Sequence, residues 1–135
     1  MYYKIKVNRL IGFSQSGKED RVIETYLTDA DNFAIAGHKV ISAIGTDNVE
    51  VEDIMLMKNF KPAVNEKYSV NNKVFVVKIA EDVFENGKIK TVKYVLPAFA
   101  NNSDELQKIM NDYISQGLEN MRLTTISETQ WIYLD

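Results

Sequence analysis

Hydrophobic and polar residues alternate at the start of the chain. Tyr3, Ile5 and Val7 are apolar and the residues between them are polar, which is the two-residue period of a half-buried strand. Residues 14–18, Ser-Gln-Ser-Gly-Lys, are typical of a loop. The pattern therefore predicts a first strand that turns there and returns over residues 22–28.

A helical period of three to four residues follows this strand pair. Asp29 or Asp31 is predicted to cap the helix, and Gly45 to end it. The apolar stripe of this helix is predicted to be Phe33, Ala36, Val40, Ile41 and Ile44. Residues 49–57 are predicted to form the next strand.

The same order of patterns recurs after a connector at residues 58–72, which contains Pro62. Strands are predicted over 73–83 and 89–96, joined by a tight turn at the Asn-Gly pair of residues 86–87. Pro97 indicates that the second of these strands ends there or lies at a sheet edge.

A second helix is predicted from Ser103 to a stop at Gly117, and a last strand over 121–126 that Trp131 and Tyr133 would extend. The apolar stripe of this second helix is predicted to be Leu106, Ile109, Met110, Tyr113 and Ile114.

The two passes align with an offset of about 70 residues, so that Gly17-Lys18 matches Gly87-Lys88 and Val7 matches Val77. The predicted fold class is α+β: a tandem β-β-α-β repeat with a mostly antiparallel sheet and two helices packed on it. We predict one domain, 1–135, with repeats at 1–57 and 73–135 and one sheet system covered by both helices. Similar patterning without common ancestry would also produce part of this match.

Composition limits the class of protein. The chain has 135 residues, 45% of them hydrophobic and 26% charged, as expected for a globular domain. The absence of cysteine excludes disulfides and thiolate metal sites. No apolar run approaches the ~20 residues of a membrane span, and the first residues do not have the pattern of a signal peptide. We therefore expect a cytoplasmic protein with no membrane partner.

Charge alternates in blocks along the chain. The formal net charge is −3, which argues against a protein that coats DNA through bulk positive charge. Residues 1–28 have a net charge of +2, 29–57 of −5, 58–102 of +4 and 103–135 of −4. The two predicted hairpins are therefore basic, whereas the segments that follow them are acidic.

Several short stretches are similar to a domain-of-unknown-function family of small proteins from Bacteroidota and their phages. The matching stretches are residues 2–7, 24–30, 75–78, 94–96 and 125–129. The connector is shorter here than in that family. The resemblance implies a phage or mobile-element setting, in which some such members are candidates for DNA metabolism, and it implies no catalytic residues.

The motifs that could indicate catalysis or metal binding have simpler explanations. Gly12 to Lys18 reads G-x-x-x-x-G-K, but Glu19 follows where a phosphate-binding loop needs Ser or Thr, so we predict a hairpin turn. Residues 29–33 begin like a calcium loop, but Phe33 occupies the fifth position, so helix capping is predicted instead.

The remaining candidates are equally weak. Asp47, Glu50, Glu52 and Asp53 are predicted to form a solvated acidic edge rather than a metal site. His38, the single histidine, is predicted to be a surface residue of the first helix, because one histidine without cysteine cannot build a usual zinc site. We predict no cofactor, no metal site and no enzymatic activity, although pairs of carboxylates brought together by folding are invisible in a sequence.

The basic hairpins are the one feature that favours a function. Single-stranded nucleic acid is bound by cationic grooves along its phosphates and by aromatic faces that stack its bases. The predicted binding residues are Lys4, Lys6, Arg9, Tyr26, Lys73, Lys78, Lys88, Lys90, Lys93 and Tyr94. This prediction requires the cations to share one solvent-facing surface. The competing interpretation is that the lysines protect sheet edges and the tyrosines are half-buried core.

Three functional hypotheses follow from the sequence. The first is a non-enzymatic protein that binds single-stranded DNA. The second is a protein–protein interaction or assembly component, including a homo-oligomer, in which the aromatic terminus and residues 55–57 are adhesive surface. The third, an inhibitor that sequesters a host factor or nucleotide, has no specific support in the sequence.

Overall fold

The computed structural model describes residues 1–45, 49–58, 60, 73–116 and 120–135. Asp47, Gly117 and all of the predicted connector except Lys58 and Phe60 lie outside these ranges. The chain divides into two compact units. The first unit comprises Met1–Lys58 together with Trp131–Asp135, and the second comprises Asn59–Gln130.

The first unit is a four-stranded sheet with one helix. Its elements are β1 (Tyr2–Phe13), β2 (Glu19–Asp29), α1 (Phe33–Ile44), β3 (Val49–Leu56) and, from the end of the chain, β7 (Ile132–Leu134). The strand order is β3-β1-β2-β7. β1 is antiparallel to both β2 and β3, whereas β7 is parallel to β2.

Helix α1 covers the face of this sheet that includes Tyr3, Ile5 and Val7, and all three of these side chains are buried. Ala36 and Val40 of α1 complete the cluster. Gly37 allows the helix to approach closely, because a Cβ at this position would lie 3.2 Å from Cδ1 of Ile54. The predicted apolar stripe therefore faces the sheet, although half of the Phe33 surface remains exposed.

The loop between β1 and β2 is a hairpin turn, as predicted. The backbone N–H of Gly17 donates to the carbonyl of Ser14 (3.0 Å), and that of Ser14 to the carbonyl of Lys18 (2.8 Å). Gly17 has a φ of 82°, a left-handed conformation that glycine adopts at little cost. A strand follows instead of a helix, so the Gly12–Lys18 motif has no helix N-terminus to bind a phosphate.

The second unit has the element order β-β-α-β and a three-stranded sheet. Its elements are β4 (Lys73–Glu85), β5 (Lys88–Ala100), α2 (Ser103–Ser115) and β6 (Met121–Glu128). β4 lies in the centre and is antiparallel to both neighbours. β5, which contains Pro97, is an edge strand, as predicted. At the turn, Asn86 and Gly87 have φ angles of 53° and 78°, the geometry that Asn-Gly favours.

Helix α2 packs its buried Leu106 and Met110 against one face of the second sheet. The buried residues of that face include Phe75, Val77 and Ile79. The α+β class with two helices and mostly antiparallel sheets is therefore as predicted.

Three details differ from the predictions. The described strands form two separate sheets and not one sheet system. β7 is not an extension of β6: it pairs with β2 and belongs to the first unit. Asn32, and not Asp29 or Asp31, caps α1, since its Oδ1 accepts the N–H of Ile35 at 2.9 Å. Asp29 instead ends β2 and forms an ion pair with the amino terminus at 2.7 Å.

Two further observations concern single residues and helix length. His38 is exposed on α1, as predicted, with Nε2 3.4 Å from the Ser42 hydroxyl. Among the described helices, none is both long and apolar enough to cross a membrane.

Candidate nucleic-acid interface

The two faces of each sheet separate the predicted binding residues. We call the face that contacts the helix the helix side, and the opposite face the distal side. In the first unit Lys4 and Lys6 lie on the distal side, whereas Arg9 and Tyr26 lie on the helix side with Ile5 and Val7, because side chains alternate along a strand. The prediction that these residues share one surface is therefore wrong for the first unit.

The lysines of the first unit lie next to groups that offset their charge. Lys6 Nζ is 3.5 Å from Glu52 Oε2, and Lys4 Nζ lies 5.6 Å from the centre of the Trp131 ring, within the range of a cation–π contact. The pairing of β1 with β3 causes this arrangement, because it places Asp53 opposite Lys6 and Glu50 opposite Asn8. Glu50, Glu52 and Asp53, the described residues of the predicted acidic edge, are therefore on the same side as Lys4 and Lys6.

Arg9 and Tyr26 are part of a structural network on the helix side. Both bind the carboxylate of Glu24: Arg9 donates through Nε (2.8 Å) and through Nη2, and the Tyr26 hydroxyl donates to Oε2 at 2.9 Å. Burial and the hydrogen bond to Glu24 raise the pKa of Tyr26 to about 12. Only 6% of Tyr26 is exposed, so its ring cannot stack on a base, contrary to the prediction.

An open depression of about 500 Å³ lies at the same end of the first sheet. It is lined by Asn8, Glu19, Arg21, Val49 and Glu50. Arg21 is already bound there, to Glu19 at 3.2 Å and to Asn8 Oδ1 at 2.6 Å. Among the described residues, no group of three or more His, Cys, Asp or Glu side chains is arranged to hold a metal ion.

The second unit also divides its cations between two sides. Lys73, Lys88, Lys90 and Tyr94 lie on the helix side of the sheet. Lys73 Nζ is 2.8 Å from Glu128 Oε1. Lys88 lies opposite Glu85 in the register of the hairpin. For Tyr94, burial and the neighbouring Glu81 carboxylate raise the pKa. These four residues are interleaved with carboxylates and do not form a continuous cationic surface.

Lys78 and Lys93 lie together on the distal side of the second sheet. Lys78 is opposite Val95 and Lys93 is opposite Ala80, so the two lysines are diagonal neighbours with Cβ atoms about 7–8 Å apart. Both side chains are exposed. Neither forms an ion pair with another residue in the part of the chain that the structure describes.

Arg122 joins these lysines from β6. Arg122 is opposite Ala80 on the other side of β4, so Lys93 and Arg122 flank the small Ala80 side chain in one row across the sheet. The backbones of Lys93 and Arg122 are therefore two strand spacings apart, or about 10 Å. A bulge at Thr124, between the pairs Lys78–Thr125 and Ile79–Leu123, sets this register. The sequence analysis missed Arg122, because its proximity to Lys93 depends on pairing between distant segments.

Asp82 is the one carboxylate of the described distal side, and both of its oxygens have partners. Oδ1 accepts from the Thr91 hydroxyl at 2.8 Å and Oδ2 from Arg122 Nη1 at 2.9 Å. These two hydrogen bonds, from Thr91 first and then from Arg122, lower the pKa of Asp82. The carboxylate therefore orients the guanidinium and offsets part of its charge.

The distal side becomes more exposed toward the hairpin turn. Val74 and Phe99, at the end remote from the turn, are buried, whereas Phe84 and Ile89, at the turn, are 78% and 74% exposed. From the remote end to the turn, the rows across the sheet are Val74–Phe99, Val76–Pro97, Lys78–Val95, Ala80–Lys93, Asp82–Thr91 and Phe84–Ile89. The cationic side chains therefore lie in the middle rows of this face and the exposed apolar pair lies at the turn, with the Asp82–Thr91 row between them.

No protein-family model and no curated protein matches this chain. The resemblance to the Bacteroidota and phage family therefore stays a prediction, and the functional argument depends on the geometry of the second sheet.

Proposed function

We propose that this chain is a non-enzymatic protein that binds single-stranded nucleic acid on the distal side of its second sheet. The observation that supports the proposal is the grouping of Lys78, Lys93 and Arg122, whose side chains are exposed, in adjacent rows of one face. The family resemblance adds the proposal that a phage or mobile element encodes the protein and that it acts in the bacterial cytoplasm.

The cation grouping supports modest, salt-sensitive affinity. Each phosphate that a lysine or arginine neutralises releases condensed counterions, and for single strands the salt slope is about −0.7 per contact. With two lysines and an arginine shared with Asp82, we expect two to three contacts and a slope of about −1.4 to −2.1. Affinity should then fall about 7- to 20-fold between 50 and 200 mM salt.

The exposed apolar pair at the turn, Phe84 and Ile89, favours binding of a single strand over binding of a duplex. Unpaired bases offer flat apolar surfaces to exposed side chains, whereas the bases of a duplex are stacked inside it and only their edges reach the grooves. The net charge of −3 also argues against a duplex-coating protein. A small cationic face with exposed apolar side chains therefore fits a flexible single strand better.

Fluorescence polarisation with a labelled oligothymidine of about 12 nucleotides tests the proposal. The wild-type chain should bind at low salt, bind a duplex of the same length more weakly, and lose affinity when Lys78 and Lys93 are both replaced by Gln. Lys6→Gln is the matched control, since it removes an exposed strand lysine that is already paired with Glu52. The proposal is contradicted if the wild-type chain does not bind, or if Lys6→Gln weakens binding as much as the Lys78→Gln, Lys93→Gln double variant.

A protein–protein interaction is the second candidate, and the first hairpin supports it. Ile11, Phe13 and Ile23 of this hairpin are each more than half exposed, and exposed apolar side chains of this size can take part in a protein contact. If this hairpin mediates self-association, light scattering should give a mass above 15.5 kDa that Phe13→Ala reduces. A monomer at all concentrations would exclude self-association.

We further propose that the two units arose by duplication of one β-β-α-β unit. Three shared details support this: the element order, an asparagine cap on each helix at Asn32 and Asn102, and a bulge on the third strand of each unit, at Glu52 and Thr124. Chains related to this one should align half to half at these positions. Relatives whose halves cannot be aligned there would contradict common origin.

A further inference from the structure

Phe84 and Ile89 form an exposed apolar pair at the end of the second hairpin. They are directly opposite each other in the register of β4 and β5, which places their Cβ atoms about 4.5–5.5 Å apart. They are 78% and 74% exposed, the highest values among the large hydrophobic side chains that the structure describes. Both project from the distal side, the side of Lys78 and Lys93.

We propose that Phe84, supported by Ile89, is the platform on which an unpaired base stacks. This inference rests on the proposed function and names the part of the ligand that the apolar end of the face binds. The pair lies four residues along β4 from Ala80, the residue between Lys93 and Arg122, or about 13–14 Å at the rise of an antiparallel strand. A strand of nucleic acid with its phosphates at these cations would place a neighbouring base at Phe84.

Tyr26 and Tyr94 were predicted to be the aromatic residues that stack bases, and the structure argues against both. Tyr26 is buried and bound to Glu24, and Tyr94 lies on the helix side, away from Lys78 and Lys93. Phe84, in contrast, is an exposed aromatic side chain on the same face as the cations. Phe84 was not predicted as a binding residue, because it lies one residue beyond the predicted strand 73–83.

The cations of this face favour an anionic partner, and the exposed Phe84 and Ile89 favour one with apolar surfaces. The residues of the turn favour nucleic acid over an anionic membrane. The residues beyond the pair, Glu85 to Lys88, are polar or charged apart from one glycine and lie at the very end of the hairpin. Inserting the hairpin end-on into a bilayer would bury these groups in the apolar phase, which is costly. A base stacking flat on the distal side leaves them in water.

The test compares two ligands and two exposed aromatic residues. Phe84→Ala and the control Tyr113→Ala remove side chains that are 78% and 41% exposed, and Tyr113 lies on α2, which packs on the helix side of the second sheet. Their binding to oligothymidine and to an abasic oligomer of equal length is measured by polarisation. Phe84→Ala should weaken oligothymidine binding about 5- to 150-fold, the effect of losing one stacked base. It should leave abasic binding and the salt slope unchanged, and Phe84→Trp should restore binding.

Each outcome distinguishes this inference from the proposed function. If the wild-type chain binds oligothymidine but Phe84→Ala binds equally well, or loses abasic binding to the same extent, the stacking role is wrong and the cationic site stands. If the wild-type chain binds neither oligomer, the proposed function fails as well. Sedimentation with anionic phospholipid vesicles that depends on Phe84, without oligothymidine binding, would overturn the choice of nucleic acid.

Discussion

Replacing Tyr26 with phenylalanine tests whether this residue is structural or binds ligand. The substitution removes only the hydroxyl, which donates to Glu24 Oε2 at 2.9 Å. Hydrogen bonds to charged groups contribute about 1.5–3 kcal/mol. Because Glu24 keeps both of its Arg9 contacts, we expect the free energy of unfolding at about pH 7 to fall by about 1–2 kcal/mol.

The difference in the free energy of unfolding between the wild-type chain and Tyr26→Phe should also depend on pH, which gives a second quantity to measure. The pKa of Tyr26 is raised from 10.0 to about 12 in the folded chain, so the folded state keeps its proton where the unfolded state loses it. The resulting stabilisation is complete below pH 10 and is lost as the pH rises toward 12. At about pH 11 the wild-type chain should have lost about 1.4 kcal/mol from this group, whereas the Tyr26→Phe variant has no hydroxyl to titrate and loses none.

Urea denaturation of both proteins at about pH 7 and about pH 11 measures both effects. The stability advantage of the wild-type chain should shrink or vanish at the higher pH. Tyr133, whose pKa burial also raises to about 12, is present in both proteins and cancels. Equal alkaline losses in the two proteins, or a loss of oligonucleotide binding in Tyr26→Phe, would refute the structural assignment.

Two further predictions concern the second unit and are checked by urea denaturation and circular dichroism. Asn102→Ala removes the side-chain acceptor of the Glu105 N–H (2.8 Å) and should cost about 1 kcal/mol, while Asn111→Ala, on the exposed face of α2, should cost clearly less; equal costs would contradict the cap. Leu106→Ala opens a cavity in the α2 core, where Leu106 is fully buried, and should cost about 2–5 kcal/mol. A cost under about 1 kcal/mol would show that α2 does not pack on the sheet as described.

Much of the fold could be predicted because its signals are local. The alternation of Tyr3, Ile5 and Val7 identified both the strand and its buried face, and the Asn86-Gly87 pair identified the turn. The predicted capping residue of α1 was wrong because Asp and Asn cap helices equally well. The pattern could therefore not choose between Asp29 and Asn32. β7 was missed because three residues pair with a strand more than 100 residues away, and nothing local encodes that contact.

The candidate site was less predictable for the same physical reason. Strand alternation alone separates Arg9 from Lys4 and Lys6, but the neighbours of a side chain across a sheet depend on register. The pairing of β3 with β1 placed Asp53 opposite Lys6 and so offset the first group of cations. The bulge at Thr124 placed Arg122 in the same row as Lys93 and so extended the second group.

The salt dependence of oligothymidine binding, compared between the wild-type chain and the Lys78→Gln, Lys93→Gln double variant, tests the central claim most directly. If both ammonium groups contact phosphates, the double variant should bind more weakly and its salt slope should be shallower by about 1.4. Two parallel slopes at equal affinity would show that the distal side of the second sheet does not bind the nucleic acid.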